Sequence, residues 1–346
     1  MKTTPPIRIG LIGLGIMGEL YARIYSSHPL SEVVAVSSRR ESRVEEFKAR
    51  FAAAGYTDYR EMIEHEQLDA VVIATPDHAH YEPAQMALAA GKHVLIEKPL
   101  TTSVAEADSL LSLAAKQQLK IQVSFNHRWL PPYQAAKKSI EDGEIGTPLA
   151  AFARKNDTIY VPTEMVTWAG ETTPAWFLSS HDIDLVRWFF SSEPVEARAW
   201  GRKEVLKAKG IPTYDLIHSQ VRFANGAIAT FESSWIYPNT FPTIVDSFVE
   251  VIGTQGHVHL DRKRESIEIS TPRGFTYPKN FITQDIFGRL RGAFPACLED
   301  FLHAIVGDSE PHVSGYDGRQ VTATLEAIHT SLNIDETVPI RSFKPQ

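Results

Sequence analysis

Ile7-Arg8-Ile9-Gly10-Leu11-Ile12-Gly13-Leu14-Gly15-Ile16-Met17-Gly18 is the stretch that decides the fold. Ile7 to Ile12 reads as a buried parallel strand, and Ile16 to Tyr25 reads as the helix that follows it. Gly13-x-Gly15-x-x-Gly18 lies at the junction, and each glycine there has its own task. Gly13 makes the tight turn, Gly15 lets backbone approach a pyrophosphate, and Gly18 lets the helix pack closely on the sheet. The free N–H groups at the helix start, around Ile16 and Met17, face the phosphates. A lone glycine motif is weak evidence; strand, glycines and helix in this order predict a dinucleotide site.

About twenty residues past the glycines, an NAD site offers Asp or Glu to the adenosine ribose. The second strand, Glu32 to Val36, ends instead in Ser37-Ser38-Arg39-Arg40. A carboxylate repels a 2'-phosphate, whereas the Ser38 hydroxyl and the Arg39 guanidinium can bind one. The expectation is therefore NADP(H), with NAD(H) second. The same residues also read as a solvated loop before the helix beginning at Glu41, because exposed arginines are common.

Strand and helix patterns alternate over the first 125 residues or so, as a doubly wound parallel sheet requires. Strands are expected at Ile7 to Ile12, Glu32 to Val36, Ala70 to Ala74, His93 to Ile96 and Ile121 to Phe125. A helix over Val104 to Gln117 carries Ser103 as its N-cap, with Glu106 at capping-box spacing. Ligands bind such sheets at the carboxyl ends of the strands. Thr75-Pro76-Asp77-His78-Ala79-His80 and Glu97-Lys98-Pro99 both fall there. Beyond Pro131, six strand-like stretches follow a helix at Tyr133 to Asp142: Leu149 to Arg154, Glu196 to Gly201, Ile217 to Phe223, Ile228 to Trp235, Phe248 to Gly253 and Val258 to Leu260. Asn225-Gly226 is a hairpin turn signal between two of them. A mostly antiparallel sheet is expected, interrupted by a helix near Ser180 to Phe190. The chain thus reads as α/β followed by α+β, with domains at 1–128 and 129–346. Helices at Phe294 to Val306 and Asp317 to Leu332 are expected to pack back on the body.

The net charge of −7 and the lack of a basic tract argue against nucleic acid and membrane surfaces. Neither an apolar leader nor a run of about 20 apolar residues is present, so a cytoplasmic location is expected. The single cysteine, Cys297, permits no internal disulfide or cysteine cluster for zinc, and it reads as a small core residue. No histidine-carboxylate spacing forms a convincing metal site, and no metal is expected.

Several of these signatures, in order, resemble the glucose-fructose oxidoreductase, inositol dehydrogenase and rhizopine-catabolism family (Gfo/Idh/MocA). They are Gly13 to Gly18, Thr75-Pro76 with His80, Glu97-Lys98-Pro99, Phe125-Asn126 with Arg128, Gly143-Glu144-Ile145-Gly146, and His181 with Asp184. The resemblance spans nearly the whole chain. It implies an N-terminal Rossmann domain and a C-terminal domain on an open, mostly antiparallel sheet, whose outer face joins homodimers or homotetramers. It also implies NAD(P)-linked oxidation or reduction of a sugar, inositol or related ring. Thr75, Pro76, His80, Glu97, Lys98 and Asn126 would then lie along the cofactor.

Hydride transfer to or from a secondary alcohol leaves a proton to be moved. Lys98 is the first candidate for that work: partial burial and an oxidised nicotinamide would lower its pKa, so that a neutral amine accepts the alcohol proton. His181 is the second, binding the reacting oxygen or relaying its proton. Asp184, three residues on, shares its helix face and either orients the imidazole or pairs with Arg187. Asp182 is expected to turn away as a first-turn acid, capped by Ser179 or Ser180. Similar family members carry an Asp four residues before the histidine; here Phe177 stands there, placing more weight on Lys98 and His181. Arg128, Lys155, Tyr160, Trp168 and Trp176 read equally as a polyol pocket and as ordinary structural residues. A non-catalytic dinucleotide sensor and an NAD-dependent glycosidase remain the alternatives to a polyol dehydrogenase.

Overall fold

Six short, apolar strands make the first sheet of the computed structural model, which describes residues 5–343. In chain order they are β1 (Ile7–Ile12), α1 (Ile16–Ser27), β2 (Ser31–Ser37), α2 (Glu41–Phe51), β3 (Ala54–Tyr56), α3 (Tyr59–His65), β4 (Ala70–Ile73), α4 (Tyr81–Ala89), β5 (His93–Ile96), α5 (Val104–Gln117) and β6 (Ile121–Val123). All pairings are parallel and the spatial order is β3-β2-β1-β4-β5-β6. That is the doubly wound order, with its reversal between β1 and β4. Helices cover both faces of such a sheet, which is why β4 is an unbroken apolar run and β5 is apolar after His93. Val71, Val72, Ile73, Val94, Leu95 and Ile96 retain no exposed surface.

Three details depart from the pattern reading. β3 is an additional edge strand of only three residues, Ala-Gly-Tyr, too short and too small to show periodicity. β6 stops at Val123, because the Phe125 N–H turns back to the Val123 carbonyl at 2.8 Å. Ser103 does occupy the N-cap of α5, but its side chain makes no capping bond.

This sheet belongs to one of two compact units, which also contains Pro295–Arg319; the other comprises Asn126–Phe294 and Gln320–Phe343. The second unit contains α6 (Pro131–Glu141), β7 (Pro148–Thr158), α7 (Ser180–Phe190), β8 (Pro194–Arg202), the single turn α8 (Val205–Ala208), β9 (Leu216–Phe223), β10 (Ile228–Tyr237), β11 (Val245–Gly253) and β12 (His257–Asp261). Two small hairpins follow, β13 (Ile269–Thr271) with β14 (Gly274–Thr276) and β15 (Gln284–Ile286) with β16 (Arg289–Arg291). They are largely exposed and lack the alternation that marks a half-buried strand. The remaining elements are α9 (Ala293–Val306), α10 (Gly315–Ile334) and β17 (Val338–Pro339). The large sheet runs β12-β11-β7-β10-β9-β8-β17 and is antiparallel except where β10 lies parallel to β7. Asn225-Gly226 makes the expected hairpin between β9 and β10: Gly226 has φ +87°, and the Asn225 Oδ1 accepts from the Ala227 N–H at 3.0 Å. β7 runs four residues beyond the expected Arg154, bringing Lys155, Asn156, Asp157 and Thr158 into the sheet as buried residues.

From Pro295 onward α9 is part of the first unit, where the Gln122 amide donates to the Cys297 carbonyl at 2.6 Å. Cys297 is fully buried, and burial pushes its thiol pKa up. Among the described residues, no helix is long and apolar enough to cross a membrane, and no group of three His, Cys, Asp or Glu side chains is placed to hold a metal.

In the second unit, half-buried His329 of α10 stacks on Trp176, with ring centroids 5.0 Å apart. Its Nδ1 lies 2.7 Å from the Leu325 carbonyl and its Nε2 2.7 Å from the Thr173 hydroxyl, so the neutral ring donates from Nδ1–H and accepts at Nε2. Burial pushes its pKa down to about 4. An unfolded histidine titrates near ~6.5, so His329 contributes stability that is complete above that pH and is lost as pH falls toward 4. The expected loss is on the order of 3 kcal/mol. Urea unfolding at pH 7 and pH 4 should show it, and His329→Gln should remove most of that pH dependence while lowering stability at pH 7.

Candidate active site

In the first unit, the glycine turn, Thr75 and Lys98 sit at the carboxyl ends of β1, β4 and β5. Gly13 has φ +93°, and a Cβ there would lie 2.5 Å from the Ala74 carbonyl oxygen. A Cβ on Gly18 would overlap the Gly13 carbonyl oxygen. At Gly15, by contrast, an added Cβ would meet nothing within 4 Å. Gly15 is the N-cap of α1 and offers no capping side chain, so the first N–H groups of a 12-residue helix face open space. This is the cradle a pyrophosphate requires, and the residues present fit a dinucleotide. Ile16 is 68% exposed and Met17 half-buried beside it. The acidic Glu19 in the same turn is taken by Arg50, at 2.9 Å.

At the end of β2, Ser38 is half-buried, its Oγ accepting from the Arg40 N–H at 3.3 Å, and Arg39 is exposed. The pattern reading missed Arg43, whose Nε–H donates to the Leu14 carbonyl inside the glycine turn at 3.0 Å. Its place on α2 gives no sequence cue to that reach. Thr75 donates its hydroxyl to the Ala79 carbonyl, and Pro76 caps the short turn Asp77–Ala79. His80 is completely buried. Its Nδ1 lies 2.7 Å from the Pro99 carbonyl and its Nε2 3.0 Å from the Thr75 carbonyl, and burial pushes its pKa down. His80 therefore ties the Thr75 loop to the Lys98-Pro99 bend, whose peptide bond is cis. Glu97 is buried too: Tyr21 donates its hydroxyl to Oε1 at 2.8 Å and the Lys98 N–H donates to Oε2 at 3.1 Å. Burial pushes the Glu97 carboxyl up. Lys98 itself stays partly exposed.

The second unit opens with Asn126, whose buried Oδ1 has no hydrogen-bond partner, in the turn Asn126–Trp129. Arg128 in that turn grips Asp184 with both ends of its fork, Nε at 2.9 Å and Nη2 at 2.5 Å, both residues buried. Asp184 is thus paired with Arg128, and Arg187 donates to Glu193 at 2.7 Å. Asp182 does not turn away; it is buried in an ion pair with Lys155, which is itself buried between Ser233 and Ser247 of the neighbouring strands. Burial pushes Lys155 down and Asp182 up. Neither Ser179 nor Ser180 caps the helix through its side chain.

These anchors fix the rotation of α7, of which only His181 and Trp188 are left partly exposed. His181 stacks on His127, with ring centroids 4.2 Å apart. Phe177 stands at the missing-carboxylate position, and its ring lies 6.0 Å from those of both Trp168 and Trp235. Trp168 is part of the apolar cluster with Leu178 and Leu206. Trp176 packs on His329, and only Tyr160 of the proposed aromatic lining is well exposed, at 41%.

Two family models match the chain, one described as the oxidoreductase family's NAD-binding Rossmann fold over residues 7–125, the other as its C-terminal alpha/beta domain over residues 137–340. The chain belongs to the Gfo/Idh/MocA oxidoreductase family. The family chain is 28% identical over 345 residues to a myo-inositol 2-dehydrogenase of Thermotoga maritima, covering 96% of this chain and 98% of that one. It is 28% identical over 319 residues to a scyllo-inositol 2-dehydrogenase (NAD(+)) of Bacillus subtilis, covering 90% of each. The crystal structure of a myo-inositol 2-dehydrogenase from Lactobacillus plantarum superposes with a TM-score of 0.85 at 26% identity, covering 97% of this chain and 100% of that one.

The glycine geometry separates binding from folding. Gly15→Ala should leave the melting temperature within about 2 °C and weaken dinucleotide binding at least about tenfold, because its methyl group enters only the open cradle. Gly18→Ala should lower the melting temperature by several degrees, because the helix must move off the Gly13 carbonyl. Thermal melts with fluorescence titration on both variants check the contrast.

Proposed function

We propose that this oxidoreductase interconverts a secondary hydroxyl and a ketone on a cyclic polyol, inositol or a related sugar ring, with NADP(H) preferred over NAD(H). The observation that carries the reading is the open cradle at Gly15 on the same parallel sheet that presents Lys98 from the end of β5. The dehydrogenase names of the relatives supply the substrate class. The bound nicotinamide supplies the hydride acceptor or donor.

The chain's own residues handle position and proton. Lys98 Nζ accepts the hydroxyl proton during oxidation and returns it during reduction. Glu97, held by Tyr21, fixes the backbone from which Lys98 projects. His181 hydrogen-bonds the reacting oxygen through the ring that α7 leaves partly exposed. Asp184 and Asp182 work indirectly, locking α7 through Arg128 and Lys155. The preference for NADP(H) rests on Ser38 and Arg39, which offer a hydroxyl and a guanidinium at the end of β2 where a carboxylate would favour NAD(H). Homo-oligomers form through the large sheet of the second unit, where Ile228, Ile252 and Trp200 lie 58%, 45% and 51% exposed.

Fluorescence titration with NADPH and NADH, followed by a screen of inositols and keto-sugars at the reduced-nicotinamide absorbance, tests this reading. NADPH should bind more tightly, and Arg39→Ala should weaken it about 10–100-fold while changing NADH by less than about threefold. Lys98→Met should lower turnover by about 10²–10⁴ with binding retained. Cofactor binding without turnover across the panel would favour the sensor instead, and release of an aglycone without net change in the nicotinamide would favour the glycosidase.

A further inference from the structure

The second unit places two imidazoles face to face, His127 in the turn Asn126–Trp129 and His181 on α7, with centroids 4.2 Å apart and planes within 21°. Two like charges at that separation oppose each other, so one extra proton is shared out between the rings rather than two being held. A third residue breaks the symmetry. Arg262, buried just beyond β12, brings Nη1 to 3.1 Å from His127 Nε2. A guanidinium has donors only, so that Nε2 must accept, and the single proton of the His127 ring sits on Nδ1.

Arg262 is itself held. Its Nε and Nη2 reach Glu265 Oε1 at 3.4 and 3.3 Å, while Glu265 Oε2 accepts from the N–H groups of Asn280 and Phe281 at 2.6 and 2.9 Å. The guanidinium therefore has little freedom to leave His127. Burial points the same way: His127 is the inner ring and His181 the outer, partly exposed one. A charged imidazolium costs less on the outer ring.

We propose that Arg262 is a positioning residue for the reaction, holding His127 neutral as the Nδ1–H tautomer so that, of the two stacked rings, only His181 changes its protonation beside the reacting oxygen whose proton Lys98 carries. The inference rests on the role given to His181 above. Other charged and titratable groups around the stack are Tyr133 of α6, 6.1 Å from His127 between ring centroids, Lys155 of β7, Asp182 and Asp184 of α7, Arg128 of the turn, and Lys279. Lys155 with Asp182, and Arg128 with Asp184, are paired and largely cancel. Lys279 donates to the Arg262 carbonyl rather than to either ring. Arg262 thus brings a charge directly onto a ring nitrogen of the stack.

The test is an NMR titration of the histidine rings, nitrogen-labelled, in the intact chain from pH 5 to 8.5, with His127→Phe and His181→Phe assigning the signals. In the native protein His127 should keep one neutral tautomer throughout, and His181 should titrate in a single step. In Arg262→Met/Glu265→Gln, which removes the pair without leaving a buried lone carboxylate, His127 should begin to charge and both rings should titrate in two shared steps. The acid limb of kcat/KM should broaden likewise in that variant. His127→Phe keeps an aromatic face on His181 and should leave its single step intact. A native His127 that titrates with His181, or a double variant in which neither ring changes, would overturn the proposal. The expected NMR pattern with no turnover on any polyol would support the proton assignment and overturn the polyol reading alone.

Discussion

Gly18 and the Gly13 carbonyl approach so closely that no side chain fits between them, and the first unit is arranged around that contact. It seats α1 directly against the end of β1 and leaves the helix N-terminus uncapped over open space at Gly15. Because β1 stands where the strand order reverses, the same point gathers the carboxyl ends of β4 and β5, and with them Thr75 and Lys98. The supporting residues then follow a common logic: polar groups that look like ligands in the sequence are used to brace the ends. His80 joins two carbonyls, Tyr21 holds Glu97, and Arg43 holds the Leu14 carbonyl.

In the second unit the corresponding constraint is a pair of buried ion pairs. Arg128 with Asp184 and Lys155 with Asp182 attach α7 to the turn at Asn126–Trp129 and to β7. Replacing such pairs by apolar side chains is often neutral, but removing one partner costs about 3–5 kcal/mol, so they fix orientation more than they add stability. Two carboxylates two residues apart, each with its own cation, leave the helix one way to sit. That orientation is what leaves His181 partly exposed and stacks its inner side on His127. Phe177, packed with Trp168 and Trp235, makes the neighbouring position apolar.

The fold was legible because its signals are local. Apolar runs ended by turn residues, Gly13 after β1, Thr75-Pro76 after β4 and Pro99 after β5, marked those strands, the Asn225-Gly226 turn marked a hairpin, and the helix at Ser180–Phe190 begins and ends where its pattern does. What escaped was short or distant. β3 carries too few residues for a period, and the small hairpins after β12 are exposed and unpatterned. In the site, residue types were legible but not their partners. Asp184 finds Arg128 across 56 positions and Arg262 finds His127 across 135, and no spacing in a single sequence announces such pairings. The same holds for His80, whose burial between two carbonyls depends on how the loops after β4 and β5 close.

The central claim is direct hydride transfer between a ring carbinol and nicotinamide. Its most direct measurement uses an inositol deuterated on its ring carbons, with unlabelled oxidised nicotinamide dinucleotide, and reads the mass of the recovered reduced nicotinamide. The account predicts one deuterium on the nicotinamide ring and an equal amount of ketone. Reduced nicotinamide without deuterium, or none formed from any ring polyol, would contradict it.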